Sequence, residues 1–217
     1  MNALKEWATV VKALEQGKQT VILRKGGILE TASGFNIESK KFFLFPTWEH
    51  QETKHVKPEF HEFLTEVLDK KPNADHNKIS SYAEVLYEKD VKSNDVIKNL
   101  SSFHVWSDSY IQERRNWMPE KPMKAIFLRT VKIPEFDLPL QPEFSGCKSW
   151  IELNEKDQDA KSVLSDEEIE SLYNNAYVTE EVRRMKTMKL YLKDEMHRIN
   201  SYLIQKGLEC NVIMKLV

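Results

Sequence analysis

The run Lys124-Ala125-Ile126-Phe127-Leu128-Arg129-Thr130-Val131 constrains the fold more than any other stretch of this chain. Its apolar, aromatic and β-branched residues read as the strongest strand in the sequence. Further strands are predicted at Thr20-Val21-Ile22-Leu23, at Lys41-Phe42-Phe43-Leu44-Phe45 with Pro46 as its end, at 79–88 and at 149–153. Gly26-Gly27, between Leu23 and Ile28-Leu29, predicts a tight hairpin, because both central residues of such a turn need positive φ. Strands that come as hairpins and separated runs, without regular alternation with helices, predict an α+β fold. The expected architecture is a mixed or mostly antiparallel sheet, open or partly closed into a barrel, with flanking helices and a C-terminal helical extension.

Helical signals flank these strands. Leu4, Trp7, Val11 and Leu14 recur at helical spacing and predict a helix over 3–15, stopped by Gly17. Pro58 opens a second helix, through Leu68. Shorter helices are expected at 96–100 and 107–117. Residues 73–78 read as a polar loop. The prolines at 134, 139 and 142 predict an extended surface loop over 134–145.

The character changes near Asn154, which divides the chain into a domain at 1–153 and a tail at 154–217. The tail opens with an acidic stretch. Ser165-Asp166-Glu167-Glu168 is a capping box that starts a helix at Asp166. A longer helix is expected over 179–206, and a strand over 208–217. In the longer helix Met185, Met188, Tyr191, Leu192, Met196, Ile199, Tyr202 and Leu203 share one arc, and Arg183, Lys186, Lys189, Lys193 and His197 an adjacent one. Such a helix offers a route to a homo-oligomer; a core face with a solvated face opposite is its plainer reading.

With 41% hydrophobic residues the chain can bury a core. A formal net charge of −2 argues against a nucleic-acid coat or a polybasic membrane protein, while leaving room for a local basic patch. Two cysteines, Cys147 and Cys210, give no disulfide framework and no zinc quartet. Met1-Asn2-Ala3-Leu4-Lys5-Glu6 has an early acidic residue and no apolar core, and no window approaches a membrane span. These features predict a cytoplasmic protein with no membrane association.

Chemistry concentrates in a few places. Arg24-Lys25-Gly26-Gly27 sets two cations beside backbone N–H groups that glycine leaves open to an anion. The GxxxxGK[ST] spacing of a P-loop is absent. In Phe45-Pro46-Thr47-Trp48-Glu49-His50-Gln51, His50 is the best general acid or base, with Glu49 placed to orient it. Glu38-Ser39-Lys40 is similar to the Glu-x-Lys half of metal-dependent nucleases, with Glu30 as the neighbouring carboxylate. The spacings of His50, His55 and His61 do not match a helical zinc pair, so no metal site is assigned. Phe103-His104-Val105-Trp106 and Arg114-Arg115-Asn116-Trp117 mix aromatics with cations, which suits base stacking or an ordinary core rim. Gly146-Cys147-Lys148-Ser149-Trp150 places a thiol beside Lys148.

Ala3-Leu4-Lys5-Glu6-Trp7, Arg24-Lys25-Gly26-Gly27-Ile28, Phe43-Leu44-Phe45-Pro46-Thr47, Glu49-His50-Gln51, His104-Val105-Trp106, Trp117-Met118-Pro119 and Gly146-Cys147-Lys148-Ser149-Trp150 occur in one order. Together they resemble the bacterial and archaeal family called Domain of Unknown Function 1802, over about residues 3–153. Trp48 stands where the family's word resembles a Tyr, and Glu38-Ser39 where it resembles Glu-His. The resemblance implies no particular reaction and no cofactor.

Three function classes follow. In the leading one Arg24, Lys25 and Arg129, with the Gly26-Gly27 backbone and with His104 and Lys148 nearby, bind a phosphate-bearing ligand or nucleic acid. In the second, His50, Glu49 and Glu38 cleave a phosphodiester with a metal. In the third, the chain is a structural or interaction protein that dimerises through the helix over 179–206.

Overall fold

The apolar run at 124–131 lies within a 17-residue strand. The computed structural model describes residues 1–26, 34–73, 75–91, 93–155, 160–178, 188, 190–199 and 201–202. Gly27, the Ile28-Leu29 arm of the predicted hairpin, Glu30, Cys210, the predicted strand 208–217 and much of the predicted helix 179–206 lie outside them. In chain order the elements are β1 (Asn2–Trp7), α1 (Ala8–Glu15), β2 (Val21–Arg24), β3 (Lys41–Thr47), α2 (His61–Asp69) and β4 (His76–Val91). They continue with α3 (Asn94–Leu100), α4 (Asp108–Asn116), β5 (Met123–Pro139), β6 (Trp150–Glu152), β7 (Lys161–Ser162) and α5 (Asp166–Tyr173). Two compact units divide the chain, Met1–Leu172 and Tyr173–Val217.

The fold is α+β. One seven-stranded sheet runs in the order β2-β5-β4-β3-β1-β6, with β7 added on β5. Among the described residues only β1 and β3 pair in parallel; the other ladders are antiparallel. The order is linear, so the sheet does not close into a hydrogen-bonded barrel. It curls nevertheless. The β4–β5 ladder carries register shifts between Ile79 and Ser81 and between Val85 and Tyr87, and each bulge bends and twists its strand. The consequence is that Arg24, ending β2 at one edge, reaches Lys5 and Glu6 on β1 and Ser149 just before β6 at the other.

Four local expectations are corrected. Residues 2–7 are strand, and the helix begins only at Ala8. The helical spacing of Leu4 and Trp7 is overridden by pairing with β3 on one side and β6 on the other, which buries Ala3 and Leu4 completely. β3 runs through Pro46. The β3–β4 ladder stops at Phe43, and the Pro46 carbonyl accepts from Asn77 Nδ2 (3.0 Å), so the missing N–H forfeits no ladder bond. Residues 76–78 are not loop but the start of β4, paired with Pro139, Leu138 and Asp137. The predicted proline loop is strand as far as Pro139, since Ile133, Pro134 and Glu135 fall in the bulge opposite Ser80, where no ladder partner is required.

The core joins Phe43, Phe45, Ile79, Val131, Ile133 and Ile151 into one cluster. The capping box forms as expected: Ser165 N donates to Glu168 Oε2 (2.8 Å) and Glu168 N to Ser165 Oγ (3.2 Å), and α5 follows. In the second unit residues 190–199 are helical, with Tyr191, Leu192 and Ile199 exposed.

Candidate functional site

A cleft of about 1030 Å³ opens where the curled sheet leaves its edges apart. Its walls come from the ends of β1, β2 and β3, the loop after β3, the start of β4, helix α4 and the segment before β6. Six Lys and Arg residues line it (Lys5, Arg24, Lys25, Lys71, Arg114 and Lys148) against two carboxylates, Glu6 and Glu49. In a chain of net charge −2 this is a local excess of positive charge, the arrangement that draws anions into a concave site.

The floor is tied together by Arg24. Its Nη1 donates to Lys5 O (3.2 Å) and Glu6 Oε2 (3.1 Å), its Nη2 to Ser149 Oγ (2.8 Å). The guanidinium carbon also lies 5.0 Å from the Phe35 ring centre. Glu6, only 4% exposed, accepts in addition from Trp7 N (3.0 Å). Beside it, Lys25 is buried and donates to Arg115 O at the end of α4 (2.5 Å). Burial pulls its ammonium below the ordinary lysine value, and Arg114 adds to the effect. Gly26 takes φ +87°, the left-handed region that favours glycine. Lys5 donates to Gly146 O (3.1 Å), and burial lowers its pKa too, against the opposing pull of Glu49.

The rim is different. Lys148 and Lys71 are exposed, and Lys148 has no ion pair with a described residue. Glu49 and His50 lie on the turn after β3, His50 at φ +61°. A non-glycine residue there is uncommon and is held by its surroundings. Gln51 does the holding. Its Oε1 accepts from Thr9 N (3.0 Å) and Thr9 Oγ1 (2.7 Å) in the first turn of α1, while its Nε2 donates to Thr47 O (2.9 Å). The turn is thus clamped between β3 and α1.

One wall is aromatic. Trp7, ending β1, meets Trp106 edge-on at 4.8 Å between ring centres. Tyr110 on α4 lies 4.8 Å from Trp106, 5.6 Å from Trp7 and 4.6 Å from His55. Burial raises the Tyr110 pKa, so the phenol stays protonated. Trp48 enters from the β3 loop, its indole N–H donating to Val67 O (3.0 Å).

Of the residues singled out in the sequence, Arg24, Lys25, Gly26, Glu49, His50 and Lys148 share this cleft. Glu38, His104 and Arg129 do not line it. Arg129 pairs with Asp166 (2.7 Å). His104 is 1% exposed, and Trp106 N donates to its Nδ1 (3.2 Å). Burial pushes its pKa down to about 3, with Lys57 adding to the effect, so the ring is neutral near pH 7. Cys147 is an exposed free thiol on the cleft. Among the described residues no three His, Cys, Asp or Glu side chains group closely enough to hold a metal ion, and no helix is long and apolar enough to cross a membrane. Sequence reasoning passed over Lys5, Glu6, Gln51 and Tyr110; the first three stand in the family words, and that was the signal available.

The family model described as "Domain of unknown function (DUF1802)" matches residues 3–175, and the chain belongs to that family. The match extends past residue 153 to take in α5. No curated protein matches the chain. Among solved structures, ASCH from Zymomonas mobilis is similar at 16% identity and a TM-score of 0.35, covering 65% of this chain and 88% of that one. Two mutants of ZmASCH from the same organism are similar at 15% identity, with TM-scores of 0.35 and 0.33, covering 65% of this chain and 89% and 91% of theirs.

Proposed function

We propose that the cleft binds a phosphate-bearing ligand, nucleic acid included. The observation that carries this reading is the gathering of six Lys and Arg residues against two carboxylates around one concave surface. Lys148, Lys71 and Arg114 supply charge that a phosphate can meet from solvent. Lys5 and the Gly26 backbone lie deeper. Arg24 and Lys25 keep the floor positive and in place through bonds already made to Glu6, Ser149 and Arg115. Binding by such a site is salt-dependent, because each neutralised phosphate releases counterion.

The test is titration of the full chain with labelled oligonucleotides and with inorganic tripolyphosphate at about 50 and 200 mM salt, across which a site with several phosphate contacts loses a large part of its affinity. Saturable, salt-sensitive binding is expected. Failure of every probe to bind at the lower salt overturns the reading.

A second reading, phosphodiester cleavage with His50 as general base and Glu49 beside it, draws on one observation. His50 is clamped in a left-handed conformation on the same cleft. Incubation with oligonucleotides, with and without magnesium or manganese, tests it. Absence of cleavage, or cleavage unchanged in His50→Ala, removes it.

A further inference from the structure

The anion reading leaves the aromatic wall unexplained. A bare phosphate has no face to lay on a ring, yet Trp7, Tyr110 and Trp48 all line the cation-rich cleft. They come from three separate segments: the end of β1, helix α4 and the loop after β3. Tyr110 is held on two sides, 4.8 Å from Trp106 and 4.6 Å from His55 between ring centres. A ring fixed before the ligand arrives loses little freedom on binding. Its phenol, kept protonated by burial, carries a hydrogen-bond donor. Arg114, four residues further along α4, lies on the same helical face and also lines the cleft. Its guanidinium carbon lies 4.7 Å from the Trp117 ring centre, so the planar cation at the cleft is itself held by a ring.

Resting on the anion-binding reading, we propose that the cleft takes unpaired nucleotides of a single strand, with a base against the Trp7–Tyr110 wall and the backbone phosphates against Lys5, Lys148 and Arg114. Three features select this ligand over other phosphate carriers. Rings and cations on one surface match a molecule that is flat and apolar at one end and anionic at the other, the pairing by which proteins hold single strands without reading their sequence. A duplex keeps its base faces stacked inside and is read by elements that protrude into its grooves, whereas these rings and charges lie within a concavity. At about 1030 Å³ the cleft lies at the top of the roughly 300–1,000 Å³ range of small-molecule pockets, with room for more than one nucleotide.

The experiment compares four probes on the full chain at one low salt concentration. They are a labelled single-stranded RNA decamer, the same sequence as DNA, the matching DNA duplex, and tripolyphosphate as competitor. Tryptophan fluorescence is followed alongside anisotropy. At least one single strand is expected to bind roughly tenfold more tightly than the duplex and to quench tryptophan emission, as base stacking on an indole does. RNA and DNA differ by the sugar hydroxyl alone, so binding of either supports the inference and names the sugar. Tyr110→Phe keeps the ring and should stay within about threefold of wild type, while Tyr110→Leu should weaken the single strand about tenfold and leave tripolyphosphate unchanged. The wild-type comparison of single strand with duplex needs no variant to fold. Equal binding of single strand and duplex, or full competition by tripolyphosphate with no quenching, overturns this inference and leaves the anion cleft standing. Binding of no probe overturns the anion cleft itself.

Discussion

Arg24 and Lys148 are both cations on one cleft, and they differ in almost everything else. Arg24, at the floor, spends its guanidinium on Lys5 O, Glu6 and Ser149. Lys148, at the rim, faces water. The contrast shows that residue type and position on a cleft do not settle whether a cation is available to a ligand; the neighbours that already claim its donors do. The floor holds the two ends of a curled sheet together, and the rim is left to bind.

The largest expected effect tests the floor. Arg24→Ala strands the Glu6 carboxylate at 4% exposure and removes the link across the open sheet edges. Removing one partner of a buried ion pair costs more than the pair is worth, and with Arg24 19% exposed the loss should be about 3 kcal/mol. Urea unfolding should show it as a lower midpoint with little change in slope. Arg24→Lys should recover only part of the loss, because an ammonium cannot span three acceptors as the planar fork does. If Arg24→Ala is as stable as wild type, the distinction between floor and rim fails.

The histidines divide in the same way. His50 lies on the rim, whereas His104 is enclosed, its folded pKa held down to about 3 by burial. A group whose folded pKa lies below its unfolded value binds more protons when unfolded, so it favours folding fully above the unfolded value near 6.5 and progressively less as pH falls toward 3. Between pH 7 and pH 5 the chain should lose about 2 kcal/mol through His104. His76, raised by its bond to the exposed Asp75, acts with the opposite sign. Urea midpoints at the two pH values should differ, and His104→Gln should flatten the difference. A pH-independent midpoint in the wild type would count against an enclosed neutral ring.

This split also marks what could be read from the sequence. The family, the α+β class and strand β5 were legible, because each rests on local words or local periodicity. The helical spacing of Leu4 and Trp7 misled, because the choice between strand and helix there is made by β3 and β6, the latter about 150 residues away. Pro134 misled because a bulge can excuse a proline, and only the register shows the bulge. Among candidate site residues, those on the turns after β2 and β3 and before β6 share the cleft. Arg129 has the same side chain as Arg24 but sits in the middle of β5 and pairs with Asp166, whereas Arg24 ends its strand. No spacing in the sequence reveals that Arg24 bonds across 125 residues to Ser149.

Behind the rim turn, Gln51 bonds to Thr9 and Thr47 and so positions His50. Gln51→Ala removes the acceptor for two donors of Thr9 and the bond to Thr47 O. A lost cap of this kind costs about 1–2 kcal/mol. The thermal midpoint should fall by several degrees, less than for Arg24→Ala. The two effects should add, since they share no partner, and marked non-additivity would mean that the turn and the floor form one unit.

The smallest effect on stability should come from Lys148→Ala, and it is the one that separates binding from folding. Lys148 faces solvent and pairs with no described carboxylate, so truncation should change unfolding by less than about 0.5 kcal/mol. If the rim is the part of the cleft that meets phosphate, the same change should weaken oligonucleotide binding severalfold. It should also reduce the slope of log Kobs against log salt by about 0.7, one single-strand phosphate contact. The slope matters more than the affinity, because a folding defect lowers the bound fraction at every salt concentration alike, whereas a lost phosphate contact changes the salt dependence. Lys148→Arg should restore the slope, since it returns a positive charge to the same place. Unchanged affinity and slope in Lys148→Ala, set beside weakened binding in a folded Arg24→Lys, would invert the assignment and make the floor the binding surface.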